Sequence, residues 1–524
     1  MPRSPVILLL ALALPLAALT ADWPQWRGPL ANGVAPDSPK LAESWPKDGP
    51  PLVWKSDKVP GAGVAGWGSV AVAGGRVCVY LNVRSPEPIT TRTLRDDALR
   101  RLGWTPDKPP AELLDQAEQA RASEVRQPLK GKDLEDWIKQ WLEAKVPKEQ
   151  QKYAGWLQQR LRAGAAAMPL ALLDQLATLK DKEFAAAQEF EAALTEKGCD
   201  EARRKEVLRV VPTTRDIGHD QVLCLEAATG KQSWQAKFPG QPHGQPCSST
   251  PCLVGERVYV TGSAANVYCL DAKTGDRIWA AKSKGKPATP DCGSPLVVDG
   301  MVVLLAGTLV GLKADTGELA WEQKAANGSH NSPALWRQGA RTLVVCNGSR
   351  EVIAVDPQTG EVVWKVPGGG GWSSAAISGD LMAIYGANAN YGVATFRLPP
   401  ADANPAGRLK FADRGASPLV YQDLIYTVGG GGGAFIRCLT AAGELRWEEK
   451  LPGNTEIASP VAADGKILAP CGNSLLLYRA GGEKAELLAK ANLKVETCTS
   501  PALVAGKVYL RLTDAVACYD LTAK

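Results

Sequence analysis

The sequence predicts an all-β fold, an eight-bladed β-propeller with an α-helical insertion in its first blade. Two repeated patterns predict this fold: a hairpin that ends in Trp, and a pair of strands that begins at Ser or Thr, mostly followed by Pro. From Thr250 onward the second pattern recurs at intervals of 38 to 44 residues, and a sheet repeated every ~40–50 residues is typical of a propeller. Its eight occurrences predict eight blades.

The Trp hairpin consists of an apolar strand, a turn with Gly, and a second strand. Val267–Lys282 is one copy, in which alternating side chains precede a Lys-Thr-Gly-Asp turn. Gly suits such a turn because a positive φ costs it little, and the indole offers a large apolar surface that we expect to pack between neighbouring sheets. The pairs of Gly and Trp are Gly230 and Trp234, Gly275 and Trp279, Gly317 and Trp321, Gly360 and Trp364, and Gly443 and Trp447.

The start of each blade is marked by Ser or Thr, which Pro follows in six cases. These six are Thr250-Pro251, Ser294-Pro295, Ser332-Pro333, Ser417-Pro418, Ser459-Pro460 and Ser500-Pro501. Ser69 and Ser374 precede Val and Ala instead. The last repeat has only three strands before the chain reaches Lys524, so we expect residues 51–55 to supply the fourth strand. Such pairing closes the ring and hides the strand edges.

These repeats resemble those of the quinoprotein, or pyrroloquinoline quinone (PQQ), propeller superfamily, whose units end in an A-x-D-x-x-T-G-x-x-x-W-like turn. Leu270–Trp279 matches this turn best, and the opening Asp22–Pro29, DWPQWRGP, is similar to the start of exported bacterial PQQ-like repeat proteins. The resemblance covers roughly residues 22–84 and 217–524. It implies either a quinone-dependent dehydrogenase or a non-catalytic propeller of the BamB type.

The amino end has the pattern of a secretory signal peptide at residues 1–21. Arg3 precedes an apolar run from Val6 to Leu19, and small residues follow. We therefore expect a periplasmic or secreted protein. No Cys lies near the cleavage site, so a lipid anchor of the BamB type is not expected, and any membrane contact is peripheral. Residues 22–60 then form an extended segment with the ring-closing strand, and residues 61–84 form the first half of the first blade.

Residues 85–216 are predicted to be a helical insertion, and residues 217–524 the remainder of the propeller. The insertion changes to a helical period, and its apolar stripes are Leu134, Trp137, Ile138, Trp141 and Leu142, then Tyr153, Trp156, Leu157 and Leu161, then Phe190, Ala193 and Leu194. We expect these stripes to pack against sister helices, because most helical stability comes from burying such faces. Binding of a partner is the alternative.

Charge and composition exclude several classes of function. The chain has 60 Lys and Arg against 55 Asp and Glu, a net charge of +5, and no basic stripe, so no nucleic-acid partner is predicted. With three His and no H-E-x-x-H motif, no zinc hydrolase or other metal site is predicted. The sequence also lacks a G-x-S-x-G motif and a Walker motif.

The twelve cysteines divide into two groups by position. Cys224, Cys269, Cys438 and Cys518 share one register of the hairpin, where other copies carry Gly311 or Ala354, which predicts small buried strand residues. Cys247 and Cys252 could form a disulfide, or either could pair with Cys292, and the sequence leaves these alternatives open.

The first strand of each blade lines the axis of a propeller, so the residues before the blade starts gather around one mouth of the channel. We call them the mouth residues: Trp67, Asp291, His330, Asn331, Trp372, Arg414, Glu456 and Glu496. Their side chains could bind a planar anionic ligand by stacking, ion pairing and a hard cation. The resemblance implies that the quinone of a dehydrogenase lies here. The alternative is a polar, water-filled funnel.

Three functions are compatible with this arrangement. The first is an exported, non-catalytic scaffold without cofactor, which binds protein or another cell-envelope component through the mouth and the insertion. The second is an oxidoreductase with PQQ and Ca²⁺ around Trp372, His330, Arg414 and Glu456, although the adjacent Cys pair that the resemblance implies beside the quinone is absent. The third is a glycan- or peptide-binding propeller with Trp67 and Trp372 as stacking platforms. The sequence favours the first and assigns no catalytic residue.

Overall fold

A computed structural model describes residues 22–242, 247–283, 293–368, 370, 373–386, 391–411, 416–429, 433–453 and 458–523. The predicted signal peptide lies outside these residues. The chain divides into two compact units, of which the helical unit is Pro86–Asp216 and the propeller unit comprises the residues up to Ser85 and Ile217–Lys524. None of the helices in the described ranges has the length and apolar character that crossing a bilayer requires.

Four elements precede the helical unit: β1 (Leu52–Lys55), α1 (Ala62–Ala65), β2 (Val70–Ala73) and β3 (Arg76–Pro88). The helical unit itself contains seven helices and two short paired strands, all of it described. In chain order these are β4 (Arg92–Thr93), α2 (Asp96–Arg101), α3 (Ala111–Ala122), α4 (Gly131–Lys145), α5 (Ala154–Ala163), α6 (Leu170–Ala177), β5 (Glu183–Phe184), α7 (Ala187–Glu196) and α8 (Glu201–Val210), with 3-10 turns at Lys148–Tyr153 and Gly164–Ala166.

Antiparallel strands and short turns make up the rest of the propeller unit. They are β6 (Thr214–Glu226), β7 (Gln232–Gly240), β8 (Cys252–Val254), β9 (Arg257–Thr261), β10 (Asn266–Asp271), β11 (Arg277–Lys282), β12 (Leu296–Val298), β13 (Met301–Lys313), β14 (Leu319–Gly328), β15 (Ala334–Gln338), β16 (Arg341–Asn347), β17 (Glu351–Val355), β18 (Val362–Pro367), β19 (Ala376–Ser378), β20 (Leu381–Gly386), β21 (Gly392–Arg397), β22 (Gly407–Leu409), β23 (Leu419–Tyr421), β24 (Leu424–Gly429), β25 (Phe435–Thr440), β26 (Leu445–Lys450), β27 (Val461–Ala463), β28 (Lys466–Cys471), β29 (Ser474–Arg479), β30 (Leu487–Asn492), β31 (Ala502–Val504), β32 (Lys507–Arg511) and β33 (Val516–Asp520). A 3-10 turn at Ser263–Ala265 separates β9 from β10.

The described residues of this unit form eight sheets, which we number in chain order. The first has the order β2-β3-β6-β7, the second β8 to β11, the third β12 to β14, the fourth β15 to β18, the fifth β19 to β22, the sixth β23 to β26, the seventh β27 to β30, and the eighth β1-β33-β32-β31. These antiparallel sheets confirm the predicted all-β propeller. The third sheet has three strands because β13 carries the residues of two strands and bends at Gly307, whose φ is +84°.

The amino-terminal strand completes the last sheet. Strand β1 pairs with β33, and Trp54 lies opposite Cys518. The eighth sheet therefore has its outermost strand from near the beginning of the chain and its other three from the end. The backbone N–H and C=O groups that β33 would otherwise expose at the edge of the sheet are therefore paired with β1.

Indole side chains join neighbouring sheets at a repeated contact. The turn glycines approach the Trp of the preceding sheet so closely that a Cβ on Gly275, Gly317 or Gly360 would lie 2.5 Å from the indole. Each indole N–H also donates to a backbone carbonyl of the next sheet: Trp234 to Ala272, Trp279 to Ala314, Trp321 to Pro357 and Trp447 to Gly481, over 2.9 to 3.1 Å. The turn therefore uses Gly both for its positive φ and for the space that the indole needs.

Trp54 makes the same contact between the eighth and first sheets. Its indole N–H donates to the Ala227 carbonyl over 2.8 Å, and the ring packs against Gly230. Sequence analysis did not assign Trp54 to the Trp repeat, because it lies far from the other copies along the chain. One feature of the sequence indicated this role: Trp54 lies near the end of the predicted ring-closing strand, in the segment LVWK.

Three seams differ from this pattern: those between the fourth and fifth, the fifth and sixth, and the seventh and eighth sheets. Trp364, on the outer strand of the fourth sheet, packs on Trp336 of the same sheet with ring centroids 6.0 Å apart, and its buried N–H has no hydrogen-bond partner in the described part of the chain. The outer strand of the seventh sheet, β30, contains no Trp. Between the fifth and sixth sheets the Thr395 hydroxyl donates to the Ala441 carbonyl over 2.7 Å. Because the fifth sheet lacks a terminal Trp, as the sequence indicates, a hydroxyl replaces the indole N–H in this seam.

The helices of the helical unit bury the predicted stripes. Ile138 on α4, Leu157 and Leu161 on α5, and Phe190 on α7 are fully buried. One small core contains Leu113, Ala117, Val146 and Leu157, and a second, larger core contains Phe190. The stripes therefore pack against sister helices, as the sequence predicts.

The four cysteines of the shared register are fully buried, which confirms that prediction. Cys247 and Cys252 are both buried, and no disulfide joins them. The Cys252 thiol lies 3.4 Å from Oε1 of Gln25 instead. A disulfide between Cys247 and Cys252 is therefore not present in the structure, and Cys292 lies outside the described residues.

Candidate functional site

The residues that start each blade form a chain of hydrogen bonds around the propeller axis, which we call the serine ring. Each backbone N–H donates to the hydroxyl of the next sheet: Thr250 to Ser294, Ser294 to Ser332, Ser332 to Ser374, Ser374 to Ser417, Ser417 to Ser459, Ser459 to Ser500 and Ser500 to Ser69, all over 2.9 to 3.0 Å. The hydroxyl is thus the functional part of the Ser-Pro pattern. This explains why Ser69 and Ser374 serve without a following Pro.

The ring has one weak position, at Thr250. Its Oγ1 is buried and accepts no hydrogen bond from any residue that the structure describes. Among the described residues seven hydrogen bonds therefore join the eight ring positions, and the link between Ser69 and Thr250 is not made.

On one side of the ring, residues 22–35 run through the axis; we call them the N-terminal segment. They bind the free edges of inner strands: Trp23 exchanges two 2.7 Å backbone hydrogen bonds with Val72, Leu253 N–H donates to the Pro24 carbonyl, and Ala462 bonds both Gly33 and Ala35. Val72, Leu253 and Ala462 each follow a ring member by three residues. The contacts therefore form one layer, directly next to the ring.

Arg27 is the centre of this segment. Its guanidinium is 1% exposed and donates to the carbonyls of Asn32, Ser417 and Pro418 over 2.5 to 3.3 Å. No described carboxylate pairs with it, and burial lowers the pKa of Arg27 to about 9. Because Ser417 belongs to the serine ring, the Arg27 guanidinium contacts the ring from the side on which the N-terminal segment lies.

On the other side of the ring lie the mouth residues. Four mouth residues lie in the described part of the chain: Trp67, His330, Asn331 and Glu496. In the sequence they come shortly before the ring members Ser69, Ser332 and Ser500. Asp291, Trp372, Arg414 and Glu456 lie outside the described residues. The structure thus assigns four of the eight to the ends of ring-lining strands.

Arg511 lies near Glu496 and binds the backbone beside Trp67. The buried Arg511 donates to the carbonyls of Gly68 and Pro60, each over 3.1 Å. Burial lowers the pKa of Arg511 to about 10, and the nearby Glu496 charge opposes this shift. Glu496 is 7% exposed, and its Oε1 accepts a 3.0 Å hydrogen bond from the Thr497 N–H. This part of the mouth is a packed polar cluster around a half-buried indole.

Asn331 and its surroundings offer unpaired oxygen atoms. Oδ1 of Asn331 is buried, and so are the hydroxyl of Ser249 and Oδ1 of Asn347, none of which accepts or donates a bond within the described ranges. The Asn347 amide donates to the Ser373 carbonyl over 2.9 Å. Acceptors of this kind are normally satisfied by ordered water.

Sequence analysis did not identify Asp220, a carboxylate between the first two sheets that is 1% exposed. It accepts hydrogen bonds from the hydroxyls of Tyr80 and Tyr268, the amide of Asn82, and both the N–H and hydroxyl of Ser263, over 2.7 to 3.2 Å. Neutral donors thus satisfy both oxygens of this buried carboxyl group. A lone Asp in a strand carries no pattern that could have indicated this role.

The repeats of the propeller unit match a known family. The family model described as "Outer membrane protein assembly factor BamB" matches residues 218–380 and 339–523, together more than half of the chain. The chain belongs to this PQQ-like repeat family. No curated protein matches the sequence significantly.

Solved structures similar to this PQQ-like propeller include both kinds of protein that the sequence implies. BamB from Moraxella catarrhalis is 16% identical, with a TM-score of 0.46, and the match covers 58% of this chain and 89% of that chain. Quinohemoprotein alcohol dehydrogenase from Comamonas testosteroni is 14% identical, with a TM-score of 0.45, over 59% of this chain and 73% of that chain.

The described mouth residues do not match the cage that a quinone with Ca²⁺ requires. Calcium takes six to eight oxygen ligands, whereas the described mouth has one carboxylate, Glu496, already engaged by Thr497. Across the described residues no group of three His, Cys, Asp or Glu side chains could hold a metal ion.

Proposed function

We propose that this chain is an exported, non-catalytic PQQ-like propeller that binds a protein of the cell envelope through its mouth. The helical unit is the second contact surface, and no cofactor takes part. The family whose model matches is described as an assembly factor of outer membrane proteins, which supports a protein partner.

One observation carries the proposal: the N-terminal segment occupies the axis directly next to the serine ring. Inner-strand N–H and carbonyl groups at Val72, Leu253 and Ala462 bind the segment, and Arg27 binds ring carbonyls. The N-terminal segment thus covers inner-strand edges of three blades below the mouth. Because packed protein lies beneath the mouth, the mouth is better suited to contact a broad protein surface than to bind a small molecule in a deep pocket.

The rigidity of the ring supports the same function. The serine ring joins consecutive sheets through buried hydrogen bonds, and the indoles join them again further out. Loops on such a scaffold keep their positions, and binding to a pre-organised surface costs less entropy. The ends of the blades around the mouth therefore suit recognition of a folded partner.

Site-specific photo-crosslinking tests the proposal in cells that naturally express the protein. A photoreactive residue replaces Trp67 or His330 at the mouth, and Lys365 on the outer strand β18 serves as the exposed control. We expect both mouth positions, and not the control, to form adducts with the same envelope protein. Equal labelling from Lys365, or no adduct from the mouth, would contradict the proposal.

The enzymatic alternative is tested on the purified chain. It is dialysed with PQQ and Ca²⁺, washed, and assayed for quinone absorbance and dye-linked alcohol oxidation. We expect neither retention nor turnover. Retained quinone with turnover would replace the proposal with a quinone-dependent oxidoreductase.

The contribution of the helical unit is tested by deletion. A short Gly-Ser linker replaces residues 86–216 and joins the neighbouring strands β3 and β6. We expect crosslinking from Trp67 to persist and the total yield of adduct to fall. An unchanged yield would remove the helical unit from the interface.

A further inference from the structure

We infer that Cys78 and Cys224 form a disulfide across two neighbouring strands of the first sheet when the chain folds in an oxidising compartment. Their Sγ atoms lie 3.0 Å apart, and both side chains are fully buried. Cys78 is on β3 and Cys224 on β6, which are adjacent in the sheet. A disulfide has an S–S distance of about 2.05 Å, so the two sulfurs need to approach by only about 1 Å.

The rows of side chains that cross the sheets explain why these two cysteines meet. In the second sheet one row contains Cys252, Tyr259, Cys269 and Trp279, each paired with the next. In the first sheet the equivalent row begins with Ala71 paired to Cys78 and ends with Cys224 paired to Trp234. Cys78 therefore occupies the position of Tyr259, opposite the cysteine of the shared register.

In the other sheets that carry a cysteine of the shared register, this position holds a tyrosine, as Tyr259 shows in the second sheet. Tyr426 lies opposite Cys438 in the sixth sheet, and Tyr509 lies opposite Cys518 in the eighth. Of these four rows, the first sheet alone places two thiols face to face. The Cα atoms of opposite residues in an antiparallel pair are about 4.5 to 5.5 Å apart, which lies within the range of disulfides.

The position of the pair along the chain gives the bond a structural role. Cys78 precedes the helical unit and Cys224 follows it, and the two are 146 residues apart in sequence. Strands β3 and β6 are the strands by which the chain leaves and rejoins the propeller. A bond between them closes a loop around the whole insertion and restricts the unfolded chain accordingly.

The oxidation balances as a thiol–disulfide exchange. The two thiols lose two protons and two electrons and form one S–S bond, while a disulfide of an oxidising protein is reduced to two thiols. Burial, together with the Cys224 thiol, raises the pKa of the Cys78 thiol well above its ordinary value. Exchange therefore takes place while the first sheet is still forming, before the thiols are buried.

Mass spectrometry tests the inference. The chain from Asp22 is fused to a bacterial leader and purified as soluble protein from the periplasm. It is then denatured without reductant, alkylated and digested. We expect one cross-linked peptide that contains positions 78 and 224, and alkylation of Cys269, Cys438 and Cys518. Cys438→Ala is the matched control and leaves this peptide unchanged, whereas Cys224→Ala leaves Cys78 alkylated.

Alkylation of both Cys78 and Cys224 in soluble wild-type protein would overturn the inference. Thermal unfolding gives a second measurement, since reductant should lower the Tm of the wild type and leave the Tm of a Cys78→Ala, Cys224→Ala double variant unchanged. An equal fall in both proteins would show that the effect of reductant does not arise from this pair, and would also contradict the inference.

Discussion

The backbone N–H of Ser500 donates a 2.9 Å hydrogen bond to Oγ of Ser69, a residue 431 positions earlier in the chain. This contact joins the last sheet to the first. It repeats, between the most distant members, the bond that joins the second sheet to the third and each later sheet to the next around the serine ring. Both partners are buried, so loss of either group leaves an unsatisfied polar atom away from water.

We predict that Ser459→Ala destabilises the propeller by about 1–3 kcal/mol, the cost of leaving the buried Ser417 N–H without an acceptor. Urea unfolding followed by tryptophan fluorescence measures the change. Thr250→Val is the matched control, because the Thr250 hydroxyl accepts no bond from the described residues. A loss as large for Thr250→Val as for Ser459→Ala would show that ring hydrogen bonds do not determine the effect.

The contact between Gly275 and Trp234 leads to a second prediction. Gly275 has a φ of +79°, and an added Cβ would lie 2.5 Å from the indole. Gly275→Ala therefore incurs both backbone strain of about 1–2 kcal/mol and displacement of the indole. Gly255→Ala, at a φ of +59° with nothing within 4 Å, incurs the strain alone.

The difference in unfolding free energy between these two glycine variants isolates the indole contact. We expect Gly275→Ala to be the less stable by about 1–3 kcal/mol, the range for an overpacked core. Equal stabilities would mean that the indole moves aside without cost, and that the Trp seams contribute little to the stability of the propeller.

Arg27 provides a test of the N-terminal segment. Arg27→Lys keeps the charge but loses the planar fork that reaches three carbonyls at once. We expect residues 22–35 to become susceptible to limited proteolysis, with cleavage at least tenfold faster, as for a loss of about 1.4 kcal/mol in the bound state of the segment. Arg76→Lys, at a half-buried side chain of the propeller unit whose guanidinium donates to the Gly74 carbonyl, should leave the rate unchanged.

Glu118 in the helical unit gives a pH dependence. Burial alone would raise the pKa of its carboxyl, but hydrogen bonds from Arg160 and Arg121 outweigh burial and lower the pKa below the ordinary 4.5. A lowered pKa in the folded state stabilises the unit above pH 4.5, and this stabilisation disappears as the pH falls through the folded value. We expect Glu118→Gln to lower the Tm at pH 7 and to flatten its dependence on pH below 4.5.

The matched control for Glu118 is Glu135→Gln. Glu135 forms a two-pronged pair with Arg162 in which both side chains are about half exposed, so its loss should change the Tm little. Circular dichroism at 222 nm, recorded on the full chain between pH 7 and pH 3, follows both variants. A profile for Glu118→Gln as steep as that of the wild type would contradict the prediction.

The fold was predictable from the sequence because the information is local and repeated. Alternating strands, Gly turns and terminal Trp residues recur within each unit, and a change of period marks the helical insertion. The stripes of α4, α5 and α7 and the buried cysteines of the shared register follow from the same periodicity. Each of these features depends on residues a few positions apart, for which spacing alone determines which side chains share a face.

The candidate site depended on contacts between residues hundreds of positions apart. The serine ring joins Ser500 to Ser69, Arg27 binds Ser417, Trp54 completes a seam with Gly230, and Cys78 faces Cys224. Spacing predicts that a propeller closes, and it predicts which residues lie near the axis. Only the tertiary structure determined which segment fills the axis and which side chains meet across sheets, because partner choice there depends on packing and hydrogen bonding between distant strands.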